Sequence, residues 1–238
     1  MFKQSFVVSN NDVDNQFNLK VSALFRYFQD AALLATTDLK IDSMSLSKKN
    51  IDWVISRMAV EIIRLPKCDE EIFVHTYPGK DMAMLYPRYF FITDKEGNIL
   101  ARSSSIWVLI DNNTRKVIVD RDVISKLPPE KRDDQLELPG KISLPEDSHF
   151  VENRKIHYSD LDFNTHMNNV RYVELLMDVH DAEFYKHHQP SFILLNYMRE
   201  IKEKETVSVS TDGNNPETIS VFVDDALAFL GKVTFISD

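Results

Sequence analysis

The sequence predicts an α+β fold made of two similar halves, each with one long helix followed by an antiparallel meander of strands. Residues 12–18 and residues 160–166 open the two halves with related sequences, which align without gaps. Each opening leads into apolar residues spaced three and four apart, which is typical of a helix with one buried face. Each helix leads into alternating β-branched and aromatic segments separated by turn residues, which indicates antiparallel strands.

The first helix is predicted to begin near residue 21 and to extend for about four turns. Its apolar stripe consists of Val21, Leu24, Phe25, Phe28, Ala31, Ala32 and Ala35. Strands are then predicted at residues 52–64, 71–76, 84–93 and 99–110, with turns at residues 66–67 and 95–98.

The second half repeats this order of elements. Either Asn164 or Thr165 can serve as the N-cap of its helix, which would place His166 near the first turn. The buried face of that helix is predicted at Val170, Val173, Leu176 and Met177. Strands are predicted at residues 192–201, 206–211, 218–223 and 228–236, with turns at residues 213–216 and 224–225.

A long helix wrapped by an antiparallel sheet is the hotdog arrangement, and two copies in one chain make a double hotdog. We therefore expect an N-terminal repeat at residues 1–125 and a C-terminal repeat at residues 150–238. Residues 126–149 hold several prolines among many charged residues. This composition indicates a linker that crosses the surface.

The composition is that of an ordinary soluble globular protein, with 43% hydrophobic and 27% charged residues in 238. A net charge of −9 argues against general nucleic-acid binding and against an anionic membrane surface as a partner. Neither a signal peptide nor a membrane span is evident. The single cysteine, Cys68, excludes a disulfide framework and fits a reducing compartment.

The segment around the second helix start combines three polar residues at alternate positions, Asp162, Asn164 and His166. Free backbone N–H groups and the positive end of a helix dipole favour a developing negative charge there. An acid, an amide and a histidine at such a point suit attack on a carbonyl. Taken singly, each residue is more often a cap, a turn former or a structural histidine. Their combination favours chemistry.

The two openings differ at the positions that would carry this chemistry. The first copy has Gln16 in place of Asn164 and Asn18 in place of His166. If the triplet is catalytic, the first copy has lost its base. We therefore expect one active site per chain, with the first half free to shape a pocket.

Three segments of the chain carry a resemblance to a known family. They are Asp162-x-Asn164-x-His166-x-Asn168-Asn169-x-x-Tyr172, then Trp53-Val54-Ile55-Ser56-Arg57-Met58 followed by Glu61-Ile62 and Pro66, and finally Asn196-Tyr197-Met198-Arg199-Glu200. In these motifs, and in their order and separation, the chain resembles the acyl-acyl-carrier-protein thioesterases of bacteria and plant plastids. The resemblance spans nearly the whole chain.

The resemblance implies that Asp162, Asn164 and His166 form the catalytic triplet. It also implies that Glu200 is a carboxylate supplied by the strand that faces the helix start. Many plant members have a cysteine directly after that glutamate, whereas this chain has Ile201. A thiol nucleophile at that position is therefore excluded, and Cys68, which lies far from the motif, is expected to be inert.

The reaction implied by the resemblance is hydrolysis of a fatty acyl thioester on an acyl carrier protein, which releases free fatty acid and terminates chain elongation. Such hydrolysis needs an activated nucleophile and a stabilised oxyanion, and no metal or other cofactor is expected. Either His166 or Glu200 could be the immediate base. Asp162 would orient Asn164 or the helix start, and Asn164 with nearby backbone N–H groups would bind the oxyanion. Direct attack by a carboxylate stays open.

The acyl chain needs an apolar channel, which in the family lies largely in the first half. The expected lining residues are Phe25, Phe28, Trp53, Ile55 and Met58. Ordinary core packing explains each of them equally well.

An acyl carrier protein is the expected partner, with no nucleic acid and no membrane insertion, and the chain would act as a monomer or a homodimer. Carrier proteins are acidic, as this chain is, so docking would need a local basic surface. Candidates for that surface are Arg154, Lys155, Arg171, Arg199, Lys202 and Lys204. The chain begins almost at the fold, without a plastid-targeting extension, so a bacterial cytoplasmic enzyme is expected.

Three other functions are weighed against this one. An acyl-CoA thioesterase would use the same chemistry with a nucleotide in place of the carrier protein. A non-catalytic hotdog protein that binds acyl thioesters would need no base, whereas His166 and Glu200 are both present. A dehydratase on the same fold is less favoured, because the resemblance points to hydrolysis.

Overall fold

The structure is a computed structural model that describes residues 1–237. Its helices are α1 (Val21–Thr37), α2 (Ser43–Ser47), α3 (Arg121–Ser125) and α4 (Asn169–Met177). The strands of the first half are β1 (Phe2–Val7), β2 (Ile51–Ile62), β3 (Glu71–Pro78), β4 (Tyr86–Thr93), β5 (Ile99–Asp111) and β6 (Val117–Ile118). The strands of the second half are β7 (His149–Lys155), β8 (His188–Tyr197), β9 (Thr206–Thr211), β10 (Glu217–Val223) and β11 (Ala226–Ser237).

The strands within residues 1–237 form one antiparallel sheet, in the order β1-β3-β4-β5-β2-β8-β11-β10-β9-β7, while the short β6 pairs with the C-terminal end of β5. Strands β2 and β8 pair with each other through residues 57–61 and 192–196, and this pairing joins the two halves. Outward from this junction, β2, β5, β4, β3 and β1 occur in the same order as β8, β11, β10, β9 and β7. The predicted repeat is therefore confirmed as a repeat of topology.

The two long helices pack against each other, and α1 contacts β1 and β3 while α4 contacts β11. The apolar stripe of α1 forms the predicted buried face, in which Leu24, Phe28 and Ala31 are fully buried. Val173 and Leu176, from the predicted buried face of α4, are also buried. The α+β double hotdog is thus confirmed. Within residues 1–237 no helix has the length and the apolar character that a membrane span requires.

Strand β8 ends earlier than the sequence predicted. The predicted strand at residues 192–201 is displaced to His188–Tyr197. Pairing with β11 stops at Tyr197, and the backbone N–H groups of Met198 and Arg199 both donate to the carbonyl of Ala228. This local irregularity takes the chain out of the sheet before it reaches Glu200.

Sequence patterns did not reveal β1 and β7, the two ends of the sheet. The side chains of β1 alternate only between half-buried and exposed, and most of those of β7 are exposed. Because an edge strand buries little apolar surface, it leaves a weak hydrophobic pattern in the sequence.

The chain between α3 and β7 has no regular secondary structure and is bound to the sheet by polar contacts. The hydroxyl of Ser104 donates to the carbonyl of Glu137 at 2.5 Å. The side-chain amide of Asn196 donates to the carbonyl of Gly140 at 3.2 Å, and its Oδ1 accepts from the N–H of Ile142 at 2.9 Å. Backbone groups of this segment are thereby satisfied by side chains of β5 and β8.

Candidate active site

The loop that precedes α4 is folded around the carboxylate of Asp162. Its Oδ1 accepts hydrogen bonds from the backbone N–H groups of Asn164 at 2.8 Å and His166 at 3.3 Å. The N–H of Asp162 donates to the carbonyl of His166 at 2.8 Å, and Thr165 adopts a left-handed φ of 63°. The turn therefore fixes the directions in which the Asn164 and His166 side chains leave the backbone.

The first copy contains the same turn with different side chains. Oδ1 of Asp14 accepts from the N–H groups of Gln16 at 2.8 Å and Asn18 at 2.9 Å. Phe17, with φ of 62°, takes the place of Thr165. The first copy thus keeps the backbone turn and lacks the imidazole.

Helix α4 begins at Asn169, and its N-cap is Asn168, whose Oδ1 accepts from the N–H of Val170 at 2.9 Å. The expectation that Asn164 or Thr165 caps the helix is wrong. Both belong to the preceding turn, which needs several residues to close before the helix can start.

The backbone N–H groups around His166 are not free to bind an oxyanion, contrary to expectation. The N–H of His166 is bonded to Asp162, and the N–H of Met167 donates to the carbonyl of Ile201 at 2.7 Å. The N–H of Asn169, the first residue of α4, makes no hydrogen bond within residues 1–237. It lies at the positive end of the helix dipole and is a donor beside the site.

Glu200 follows β8 instead of lying on the strand, but it still reaches His166. Its Oε2 is 3.4 Å from Nε2 of His166. Its Oε1 is paired with Arg115, which lies in the turn between β5 and β6 and also donates to Oδ1 of Asn112 at 3.3 Å. The carboxylate is therefore held between an imidazole of the second half and a guanidinium of the first.

The environment of His166 favours the neutral imidazole. Burial lowers the pKa of His166, and the Arg115 guanidinium and Lys202 lower it further, while Asp162 acts in the opposite direction. A lowered pKa keeps the ring able to accept a proton at neutral pH. Nε2 faces Glu200, and Nδ1 has no hydrogen-bond partner among residues 1–237.

A carboxylate from the first half, Asp52 of β2, fixes the side chain of Asn164. Asp52 is only 3% exposed, and its Oδ2 accepts from Nδ2 of Asn164 at 2.5 Å while Oδ1 accepts from the N–H of Trp53 at 2.8 Å. Burial raises the pKa of Asp52. Because an amide nitrogen carries two N–H groups, Asn164 keeps one for another acceptor.

Two cavities meet at these residues. The first, which we call the His166 cavity, has a volume of about 480 Å³ and is lined by the four expected catalytic residues together with Asp52 and Arg115. The second, the α1 cavity, has a volume of about 360 Å³ and is lined by residues that include Leu33, Tyr86, Arg88, Trp107 and Leu127. Trp53, Asp162, Asn164 and Asn169 line both cavities.

Two of the five residues expected to line an acyl channel lie on these cavities. Trp53 lines both, and Ile55 lines the His166 cavity. Phe25, Phe28 and Met58 are at most 3% exposed, belong to the main hydrophobic core, and line neither cavity. Their side chains point to the interior packing between helices and sheet.

Sequence reasoning missed Asp52, Arg115 and Asn169 as functional candidates. Asp52 is an acidic residue at the start of a largely apolar strand, next to the motif residue Trp53, and this signal could have identified it. Arg115 lies in a polar turn where a charged residue is unremarkable. Among residues 1–237, no three His, Cys, Asp or Glu side chains are grouped so that they could hold a metal ion.

Fold and site together define a double-hotdog protein with a polar site where the second repeat meets β2 of the first. A family model described as the acyl-ACP thioesterase N-terminal domain matches residues 1–127, and one described as the C-terminal domain matches residues 144–228. The chain belongs to the acyl-ACP thioesterase family.

Individual proteins show the same relationship. A chloroplastic dodecanoyl-[acyl-carrier-protein] hydrolase of Cinnamomum camphora is 26% identical over 222 residues, which cover 84% of this chain and 56% of that protein. The chain spans about half the length of the curated relatives it matches.

Solved structures extend the similarity to the whole fold. The crystal structure of an acyl-ACP thioesterase from Bacteroides thetaiotaomicron superposes with a TM-score of 0.90 at 25% identity, over 98% of this chain and 97% of that one. The 12:0-ACP thioesterase from Umbellularia californica gives a TM-score of 0.84 at 21% identity, over 100% and 97% of the two chains.

Proposed function

We propose that this protein hydrolyses the thioester of fatty acyl-acyl carrier protein, which releases free fatty acid and terminates chain elongation. The observation that carries the proposal is the meeting of Asn164, His166 and Glu200 on a cavity that shares a wall with the α1 cavity. Membership of the family and the names of the relatives support the same reaction.

In the proposed mechanism His166 is the general base. Its Nδ1 accepts a proton from water as the water oxygen attacks the thioester carbonyl. Nε2–H donates to Glu200, whose negative charge stabilises the imidazolium that forms. The carbon–sulfur bond then breaks, the thiolate leaves, and the imidazolium returns the proton to sulfur. One oxygen of Glu200 is already paired with Arg115, which favours His166 as the group that takes the proton from water.

The oxyanion would be bound by two donors that flank the shared wall of the cavities. One is the N–H of Asn164 that Asp52 leaves free, and the other is the backbone N–H of Asn169 at the start of α4. Donors fixed before the reaction stabilise the developing charge without reorganisation. Asp162 would act on the loop, through its bonds to backbone N–H groups, and not on the substrate.

The two repeats would divide the work between them. The first repeat would supply most of the α1 cavity, which would hold the acyl chain and includes Trp53. It would also supply Asp52 and Arg115. The second repeat would supply Asn164, His166 and Glu200. Each half is therefore incomplete alone, although only the second carries the base.

Docking of an acidic carrier protein would use lysines beside Glu200. Three of the six basic candidates are paired with acids of this chain: Arg154 with Asp160, Arg171 with Glu174 and Arg199 with Glu205. Lys155, Lys202 and Lys204 are exposed and form no ion pair within residues 1–237. Lys202 lies directly beside His166, where the two backbones form a β-bridge.

The experiment is a comparison of kcat/KM on one acyl group attached to acyl carrier protein or to coenzyme A, repeated over a range of chain lengths. We expect release of free fatty acid with preference for the carrier-protein thioester. A preference for coenzyme A would make the protein an acyl-CoA thioesterase. No release from any thioester, by a protein that still binds acyl chains, would support a non-catalytic binding protein.

Glu200→Gln tests the assignment of the base. This variant keeps the shape and removes the charge that stabilises the imidazolium. We expect kcat to fall by roughly ten- to a hundred-fold, the range of a hydrogen bond to a charged group. His166→Ala should lose more, about 10²–10⁴-fold. A larger loss for Glu200→Gln than for His166→Ala would make Glu200 the base.

A further inference from the structure

Arg88 is a buried cation in the middle of the first repeat. It is 8% exposed and lies on β4, between Tyr86 and Phe90. Since side chains of a strand alternate between its faces, these three residues share one face. Phe90 packs against Phe28 of α1 with ring centroids 5.1 Å apart. Arg88 therefore points into the space between the sheet and α1, where it lines the α1 cavity.

The guanidinium of Arg88 is poorly satisfied. Its Nη1 donates to the hydroxyl of Thr76 at 3.1 Å, and within residues 1–237 the guanidinium forms no ion pair with any carboxylate. A guanidinium has five N–H donors, so most of them lack a protein acceptor. Burial alone lowers the pKa of Arg88 to about 10, so the group stays charged at neutral pH. Asp30 and Asp81 line the same cavity without pairing with it.

Several other buried charged groups of this chain have an ionic partner. Asp160, for example, is 4% exposed and receives the guanidinium of Arg154 at 2.8 Å. A buried cation without such a partner is costly, and an acceptor in the cavity would remove much of that cost. The hydroxyl of Tyr86, on the same cavity, is also buried without a hydrogen-bond partner among residues 1–237. Two groups on the α1 cavity, the guanidinium of Arg88 and the hydroxyl of Tyr86, thus have hydrogen-bonding capacity that the described residues do not use.

The position of Arg88 sets where the acceptor would lie. Trp53 stands at the wall shared by the two cavities, and Tyr86 packs edge-on against it at 5.4 Å. Arg88 is two residues farther along β4, roughly 6–7 Å beyond Tyr86. An acceptor that reaches it belongs to a part of the acyl chain well removed from the thioester carbonyl.

We propose that Arg88 makes the α1 cavity a site for hydroxylated acyl chains, with the hydroxyl group placed along the chain and away from the thioester. The proposal rests on the proposed thioesterase function. A hydroxyl oxygen accepts from the guanidinium, whereas a plain alkyl chain removes water from Arg88 and offers nothing in return. A second carboxylate is disfavoured there, because Asp30 and Asp81 already line the cavity.

The test compares kcat/KM for matched acyl-carrier-protein substrates that differ only in a hydroxyl group at successive positions along the chain. The wild type should prefer one distal hydroxyl position by about ten- to a hundred-fold over the unsubstituted chain. Arg88→Met keeps much of the volume and removes the charge, so it should abolish this preference and turn over the unsubstituted chain faster. Arg121→Met, at an exposed position on α3, is the matched control and should keep the preference.

Equal use of hydroxylated and plain chains by the wild type would overturn the proposal, as would a preference that survives in Arg88→Met. Binding separates this failure from failure of the proposed function. Free hydroxylated and plain fatty acids are titrated into the wild type, and the shift in Tm is measured. Absence of hydrolysis on every substrate refutes the thioesterase, while the binding preference still decides the role of Arg88. If Arg88→Met does not fold, the wild-type preference alone decides.

Discussion

Replacement of Asp52 by alanine should slow the reaction although Asp52 touches no reacting atom in the proposed mechanism. The carboxylate is 3% exposed and accepts from the amide of Asn164 at 2.5 Å and from the N–H of Trp53 at 2.8 Å. Without it, the Asn164 amide can rotate, and the donor proposed for the oxyanion is no longer fixed. Asp52 is therefore a positioning residue.

The size of the effect follows from that hydrogen bond. A hydrogen bond to a charged group contributes about 1.5–3 kcal/mol. At about 1.4 kcal/mol for each tenfold change in rate, its loss corresponds to a fall in kcat of roughly ten- to a hundred-fold. Complete loss of one oxyanion donor costs about 10²–10³-fold, which is the upper limit for Asp52→Ala. KM should change little, because Asp52 does not line the α1 cavity, the proposed site of the acyl chain.

The assay is steady-state turnover of one acyl-carrier-protein thioester, with kcat and KM determined separately. Asp52→Asn retains an oxygen that can accept from Asn164, so it should recover much of the activity. Gln16→Ala is the matched control: Gln16 holds the place of Asn164 in the first copy, and its amide donates to the carbonyl of Tyr185 at 2.8 Å. It should leave kcat unchanged. A fall in kcat below threefold for Asp52→Ala, or a change confined to KM, would refute the positioning role.

Two further predictions concern pH and stability. The lowered pKa of His166 places the acid limb of kcat/KM below pH 6.5, since a base works only when deprotonated. Arg115→Gln removes a cation that lowers this pKa, so the acid limb should move to higher pH. An acid limb that does not move would show that the pH profile does not report the titration of His166. Asn168→Ala removes the side-chain cap of α4 and should lower the free energy of unfolding by about 0.5–2 kcal/mol. Lys20→Ala changes the equivalent position before α1, which has no side-chain cap, and should have little effect. Equal losses of stability in urea unfolding would contradict the capping role of Asn168.

The order of elements could be predicted because the helix and strands of each half have strong local patterns of apolar residues. The stripe of α1 and the alternation of β9 give the observed positions, and β9 was predicted with its observed bounds, Thr206–Thr211. Boundaries that depend on tertiary contacts could not be predicted. The end of β8 is set by its pairing with β11, and the start of α4 is set by the turn around Asp162.

The site residues likewise fall into those that a local pattern predicts and those that depend on tertiary contacts. Asn164 and His166 could be proposed from the sequence because one short turn holds both residues. The contacts to Arg115 and Asp52 join residues far apart in sequence, since they cross between the halves, and no local pattern encodes them. Phe25 and Phe28 show a different ambiguity of sequence patterns. Large apolar residues on a helix are as suitable for a core as for a channel, and here the core takes them.

The central claim is that the Asp162 turn of the second repeat carries the catalytic residues, whereas the equivalent Asp14 turn of the first repeat does not. The most direct test is single-turnover hydrolysis of an acyl-carrier-protein thioester by His166→Ala and by Asn18→Ala, which alter the same position of the two repeats. The account predicts a loss of about 10²–10⁴-fold for His166→Ala and a rate close to that of the wild type for Asn18→Ala. Near-normal turnover by His166→Ala, or an equal loss in both variants, would contradict it.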